Sequence, residues 1–125
     1  MTRFGHITPY YEVLFPARAP QVDRIVSLVG PEGPGAGLPG RWADLGCGTG
    51  QQLEALADRG LQAWGLDLET PMVERFQARR PDLAQRAAVA DMREADEVLA
   101  PLMPGPPGAA YCIGNTLVQL PRDEE

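Results

Sequence analysis

The hydrophobic and polar positions of this chain fall into short units of two kinds that alternate along it. In "APQVDRIVSLVG", residues 19–30, Val22, Ile25, Val26 and Val29 share one face of a 3.6-residue period. Pro20 suits the first helical position and Gly30 a helix end, so a helix is predicted there. Residues 30–40, "GPEGPGAGLPG", are too rich in Gly and Pro for regular structure and read as a connector. "RWADL" is a short strand. "QQLEALADRG" is a helix with Leu53, Leu56 and Ala57 inward and Gly60 as its stop. "LQAWGLDL" is a strand, and "ETPMVERFQARR" a helix with Thr70 as cap and Pro71 in its first turn. Met72, Val73 and Phe76 face the core in that helix. "RAAVAD" is a weaker strand signal, "EADEVLAPLM" one short helix stopped near Pro101 and Pro104, and "AAYCI" a fourth strand.

The four strands are expected to end near Asp44, Asp67, Ala90 and Ile113, at an even spacing of 23 residues. A strand, a crossover helix and two short loops need about that length. The units share no sequence similarity, so the pitch is that of repeated β-α connections and not of a solenoid. The expected fold is α/β, a Rossmann-like parallel sheet with helices on both faces.

Composition narrows the function classes. The chain has 125 residues, about one domain. Residues 1–40 read as a lead-in with a helix and a Gly/Pro loop, and 41–125 as the ligand-binding domain. No apolar run approaches the ~20 residues of a membrane span. "MTRFGHITPYYEVLF" lacks the features of a signal peptide, so a cytoplasmic protein with no membrane partner is expected. A net charge of −6 repels phosphate backbones, and no nucleic-acid partner is expected. "ERFQARR" reads as the solvated face of a helix. The chain has no lysine, which excludes a P-loop and Schiff-base chemistry. His6 is the one histidine, and Cys47 and Cys112 are the two cysteines. They make a poor zinc set, so no metal is expected, and the cysteines read as reduced thiols.

The chemistry concentrates in "WADLGCGTGQQLEAL". Gly46, Gly48 and Gly50 follow a strand end and precede a helix, with Asp44 just before them. In an open parallel sheet the first β-α loop lies where ligands bind, and glycines let backbone approach a ligand closely. The dinucleotide fingerprint G-x-G-x-x-G does not fit, because the third glycine comes one residue early and Gln51 stands where Gly or Ala is wanted. Asp44 is awkward beside a pyrophosphate and suits a cationic ligand. A nicotinamide-dependent reductase is therefore disfavoured.

"ADLGCGTG" resembles motif I of the class I S-adenosylmethionine-dependent methyltransferases. "GLDLETPMVE" resembles their second-strand segment, where an acid binds the ribose hydroxyls. "VADMRE" resembles the third-strand turn, where an Asp meets the adenine amino group. "AAYCIGNTLVQL" resembles the fourth-strand segment of small-molecule N-methyltransferases of the glycine/sarcosine type, and "YYEVLFPARAPQV" the lead-in of bacterial members. The likeness runs from about Tyr10 to the end, with four motifs in order.

The resemblance implies S-adenosylmethionine as cofactor and these binding residues. Gly46, Cys47, Gly48 and Gly50 would approach its methionine part, Cys47 being a small buried filler with no role as nucleophile. Asp44 would balance its amino group. Asp67 would take the ribose hydroxyls, with Leu68 beside it. Asp91 and Met92 would meet the adenine. Met72, Ile113 and Tyr11 would complete the contacts. The reaction implied is direct methyl displacement onto a small-molecule amine or hydroxyl, which needs no catalytic triad. No catalytic residue is assignable, and Asn115 can orient the acceptor. Family members usually have seven strands, and this chain supplies the first four. "QLPRDEE" begins a helix without a body, so a fragment is expected. A non-catalytic cofactor-binding module is the alternative. An exposed sheet edge beside the fourth strand would favour a homo-oligomer.

Overall fold

A computed structural model describes residues 8–14, 19–29 and 40–112. Among these residues the elements are a 3-10 turn at Thr8–Tyr10, α1 (Tyr11–Leu14), α2 (Ala19–Val29), β1 (Arg41–Leu45), α3 (Gln51–Asp58), β2 (Gln62–Asp67), α4 (Thr70–Arg79), a 3-10 segment at Pro81–Arg86, β3 (Ala87–Val89), a 3-10 turn at Met92–Glu94, α5 (Ala95–Leu99) and β4 (Ala109–Tyr111). The strands end at Leu45, Asp67, Val89 and Tyr111, again evenly spaced. The four strands are all parallel, in the order β3-β2-β1-β4.

That order follows from the connections. Two crossovers carry the chain outward from β1 to β2 to β3; the third returns it past β1 to β4. The direction of winding reverses between β1 and β4, which makes the crevice at their carboxyl ends the switch point where ligands bind in such sheets. Alternation along the strands sends neighbouring side chains to opposite faces. Trp42, Ala63 and Ala87 pack with Val22 of α2, Leu53 and Leu56 of α3, and Val73 and Phe76 of α4. Ala43, Trp64 and Leu66 pack on the other face with Leu99 of α5 and Met103. The expected doubly covered sheet is present.

Several local expectations need correction. Thr70 is not the cap of α4: Glu69 holds the N-cap position, with Thr70 and Pro71 inside the first turn. The third helix-strand connection contains an unexpected 3-10 segment at Pro81–Arg86, which Pro81 starts once α4 has ended. The helix expected to run through "EADEVLAPLM" is a 3-10 turn and α5, which stops at Leu99 before Pro101. The strands in "RAAVAD" and "AAYCI" are three residues each. Ala57 is half-buried where Leu53 and Leu56 are buried. The side chains of Ile25 and Val29, and the whole Gly/Pro connector at 30–39, lie outside the described residues.

Charge ties α1 and the turn before it to α4. Glu12 of α1 pairs with Arg79 and accepts from Arg75 Nε at 2.9 Å, while Arg75 Nη2 donates to the Pro9 carbonyl at 3.1 Å. Both cysteines are free, Cys47 buried and Cys112 exposed. Among the described residues no helix is long and apolar enough to cross a membrane.

Candidate functional site

The loop from β1 to α3 is built on backbone that glycine favours. Gly46, Gly48 and Gly50 have φ of 89°, 57° and 75°. The loop folds back over β2: the Gly46 and Cys47 N–H groups both donate to the Leu66 carbonyl, at 2.8 and 2.9 Å. This close approach explains Gly65, which the sequence reading passed over. A Cβ there would stand 2.8 Å from the Cys47 Cβ and 3.1 Å from the Asp44 carbonyl oxygen. A glycine inside a strand pattern is the signal that marks such an approach. Gly50 is also a packing residue, since a Cβ on it would lie 2.1 Å from Phe76 Cδ1. Arg79, at the end of α4, holds the loop from behind, its Nη2 donating to the Thr49 carbonyl at 2.7 Å.

Three acids stand along the carboxyl edge of the sheet. Asp44 and Asp67 lie on the face covered by α3, because they continue the alternation of Trp42 and of Ala63 and Gly65. Asp44 is 2% exposed. Its Oδ2 accepts from the Tyr111 hydroxyl at 3.0 Å. Burial pushes its carboxyl up to about 7; the Tyr111 hydrogen bond works against that and the nearby Asp67 adds to it. Asp67 accepts from the Gly48 N–H at 2.9 Å through Oδ2 and from the Glu69 N–H at 2.8 Å through Oδ1. Burial raises its carboxyl too, with the two backbone donors opposing. Asp91 caps the turn after β3. Its Oδ1 accepts from Arg93 N at 2.9 Å and Nε at 3.0 Å, and its Oδ2 from Arg93 Nη2 at 2.7 Å. Those bonds hold its carboxyl below the usual carboxylate range.

The glycine loop therefore joins Asp44 and Asp67 directly, and Asp91 follows along the same edge. The Cys47 side chain belongs to the core under α3, and its thiol is pushed well up by burial and then by the two acids. Met72 is buried in α4, Met92 is half-buried against the α5 side, and Leu68 is 42% exposed. Tyr11 lies in α1, but its side chain is outside the described residues, as are Ile113 and Asn115 altogether. Tyr111, which the sequence reading did not single out, is the added member of the cluster.

A cationic ligand bearing hydroxyls fits this set. Asp44 is a buried acid with a neutral donor and, among the described residues, no cation beside it. Each Asp67 oxygen takes one N–H, which leaves acceptor capacity for two more donors. Asp44 would hold an ammonium group and Asp67 a diol.

Comparison with known proteins meets this geometry. The profile of a family described as a methyltransferase domain matches residues 43–124. That is well over half of the chain, and the chain belongs to this family. Among solved structures it is similar to a SAM-dependent methyltransferase from Geobacter sulfurreducens in complex with S-adenosyl-L-homocysteine, with a TM-score of 0.58 and 22% identity over 94% of this chain and 45% of that one. A SAM-dependent methyltransferase from Thiobacillus denitrificans, in complex with the same molecule, gives a TM-score of 0.56 and 24% identity over 91% of this chain and 44% of that one. An RNA methyltransferase from Salinibacter ruber gives 0.50 and 23%, over 65% and 53%. At such identities the likeness is one of fold. The chain spans about half the length of these structures. No curated protein matches it.

Proposed function

We propose that this chain carries the cofactor-binding part of an S-adenosylmethionine-dependent methyltransferase that moves a methyl group to a small-molecule amine or hydroxyl by direct displacement. The observation that carries the reading is the placement of Asp44 and Asp67 on one face of the sheet, joined by the glycine loop at the switch point. Asp44 receives the cofactor's ammonium group, Asp67 the ribose hydroxyls, and Asp91 the adenine amino group. Met72, Met92 and Leu68 border the adenosine, while Tyr11 and Ile113 are further proposed contacts. Cys47 serves through backbone and as core filler. When bound, the cofactor supplies a methyl already activated on a sulfonium. The chain's task is then to align, to balance charge and to exclude water.

The family model and the fold neighbours support a methyltransferase. The acidic balance of the chain, −6, supports a small acceptor over RNA. The glycine/sarcosine-like subtype rests on "CIGNT" at 112–116, where Asn115 would orient the acceptor. A non-catalytic cofactor-binding module is the second reading.

Calorimetric titration with S-adenosylmethionine, repeated on Asp67→Ala, tests the proposal. Micromolar binding lost in the variant supports it, and a folded wild type that binds nothing overturns it. Transfer of labelled methyl to small amines and to RNA then decides the acceptor class. Transfer to neither would favour the module.

A further inference from the structure

We propose that Tyr111 is a positioning residue for the site's buried acid, its hydroxyl fixing which oxygen of Asp44 is presented to the cationic end of the cofactor. The inference rests on the function proposed above.

β1 and β4 are neighbours only because the winding reverses between them, and their register pairs Asp44 with Tyr111. Paired residues on adjacent parallel strands point to the same face, so the phenol and the carboxylate meet under α3. The hydroxyl donates to Asp44 Oδ2 at 3.0 Å. Among the described residues no other donor reaches Asp44. With Oδ2 engaged, Oδ1 is the oxygen left for a ligand.

The phenol is itself held. Its ring meets Trp42, two residues before Asp44, edge-on at 6.3 Å between centroids and 63° between planes. Trp42 is a core residue, 1% exposed, so the ring has a fixed seat. A ring fixed on the core carries a hydroxyl fixed on the acid. The titratable groups facing Asp44 are Asp67 from β2, Cys47 from the glycine loop and Tyr111 from β4. Asp67 opposes its ionisation, and the phenol, by donating to the charged form, favours it. Tyr111 thus orients Asp44 and helps to keep it anionic near neutral pH.

Tyr111→Phe tests this, because it keeps the ring on Trp42 and removes one oxygen. In the full chain without ligand, carbon-13 carboxyl NMR follows the Asp44 midpoint. It is expected near 7 in the wild type and about one pH unit higher in the variant. In calorimetry with S-adenosylmethionine the variant is expected to bind about fivefold more weakly at pH 7 and to recover as pH rises through the shifted midpoint. In an Asp44→Asn background the Tyr111→Phe change is expected to have no further effect. An unmoved midpoint and an unmoved affinity–pH profile in a folded Tyr111→Phe chain would overturn the inference. A wild type that binds no S-adenosylmethionine, with the midpoint still moving, would overturn the cofactor reading while leaving the Tyr111–Asp44 pair supported.

Discussion

Asp44 and Asp91 are the same side chain near the same edge of one sheet, and their surroundings drive them in opposite directions. Asp44 sits in the core with a neutral phenol as donor and Asp67 as its neighbouring charge, and burial pushes its carboxyl up to about 7. Asp91 brings its own cation: Arg93, two residues on, fills both its oxygens, and its carboxyl lies low. The two can therefore serve different ligand groups. An acid without a countercharge is completed by a cation. An acid that already has one can take only a neutral donor, such as an amino group on a ring, through its remaining lone pairs. The β1–β4 side of the edge is packed and electrostatically incomplete, while the β3 side is self-sufficient.

The largest expected effect tests how tightly the β1 side is packed. Gly50→Ala would place a Cβ 2.1 Å from Phe76 at a φ of 75°. It is expected to cost about 3–5 kcal/mol, strain and overpacking together. Gly60→Ala, with a similar φ of 79° but nothing within 4 Å, is expected to cost only about 1 kcal/mol. Urea denaturation compares them, and equal costs would contradict the described seat of the loop.

A second comparison uses pH. The folded carboxyl of Asp44 is raised from 3.8 to about 7, so the folded state binds a proton there that the unfolded state releases. Its contribution to stability is full below about pH 4 and is lost as pH rises through 7, on the order of 2–4 kcal/mol. Asp44→Asn should flatten that decline. Asp91 is lowered, so its contribution is present above its unfolded value and is lost as pH falls through the folded one. Asp91→Asn should leave the decline between pH 4 and 7 intact. Thermal melts across pH check both signs.

Ligand binding sharpens the contrast further. If Asp44 receives the cofactor's ammonium, binding at pH 6 should release up to one proton, read by calorimetry in buffers of different ionisation enthalpy. Asp91→Asn should leave that release unchanged, and Asp44→Asn should abolish it. The smallest effect is expected at Arg79, whose side chain is 31% exposed. Arg79→Ala removes the donor to the Thr49 carbonyl and the pairs with Glu12 and Glu54. About 0.5–1.5 kcal/mol of salt-sensitive stability should be lost, with faster amide exchange across 48–50.

Much of this was legible locally. The apolar faces of α3 and α4 follow a helical period, with Leu53, Leu56, Met72, Val73 and Phe76 all buried. The glycine loop announced itself by composition beside a strand end. The cap of α4 was misplaced because Thr70 is the better capping residue by type, while the chain starts the helix one residue earlier, on Glu69. β3 was faint because it is three residues, mostly alanine, and takes its strand state from pairing with β2. Gly65 carried a readable signal. Tyr111 did not, since nothing in "AAYCI" says which strand lies beside it.

The sequence by itself determined the units: strand, turn and helix, their spacing, and the acids that end the strands. These depend on residues a few positions apart, through period, punctuation and backbone freedom. The tertiary structure alone decided that β4 lies against β1, that Gly50 makes room for Phe76, and that Tyr111 meets Asp44. Strand order and register come from how distant segments bury their apolar faces together. The partner of a buried acid, and with it the charge the site is missing, is settled only when that packing is complete.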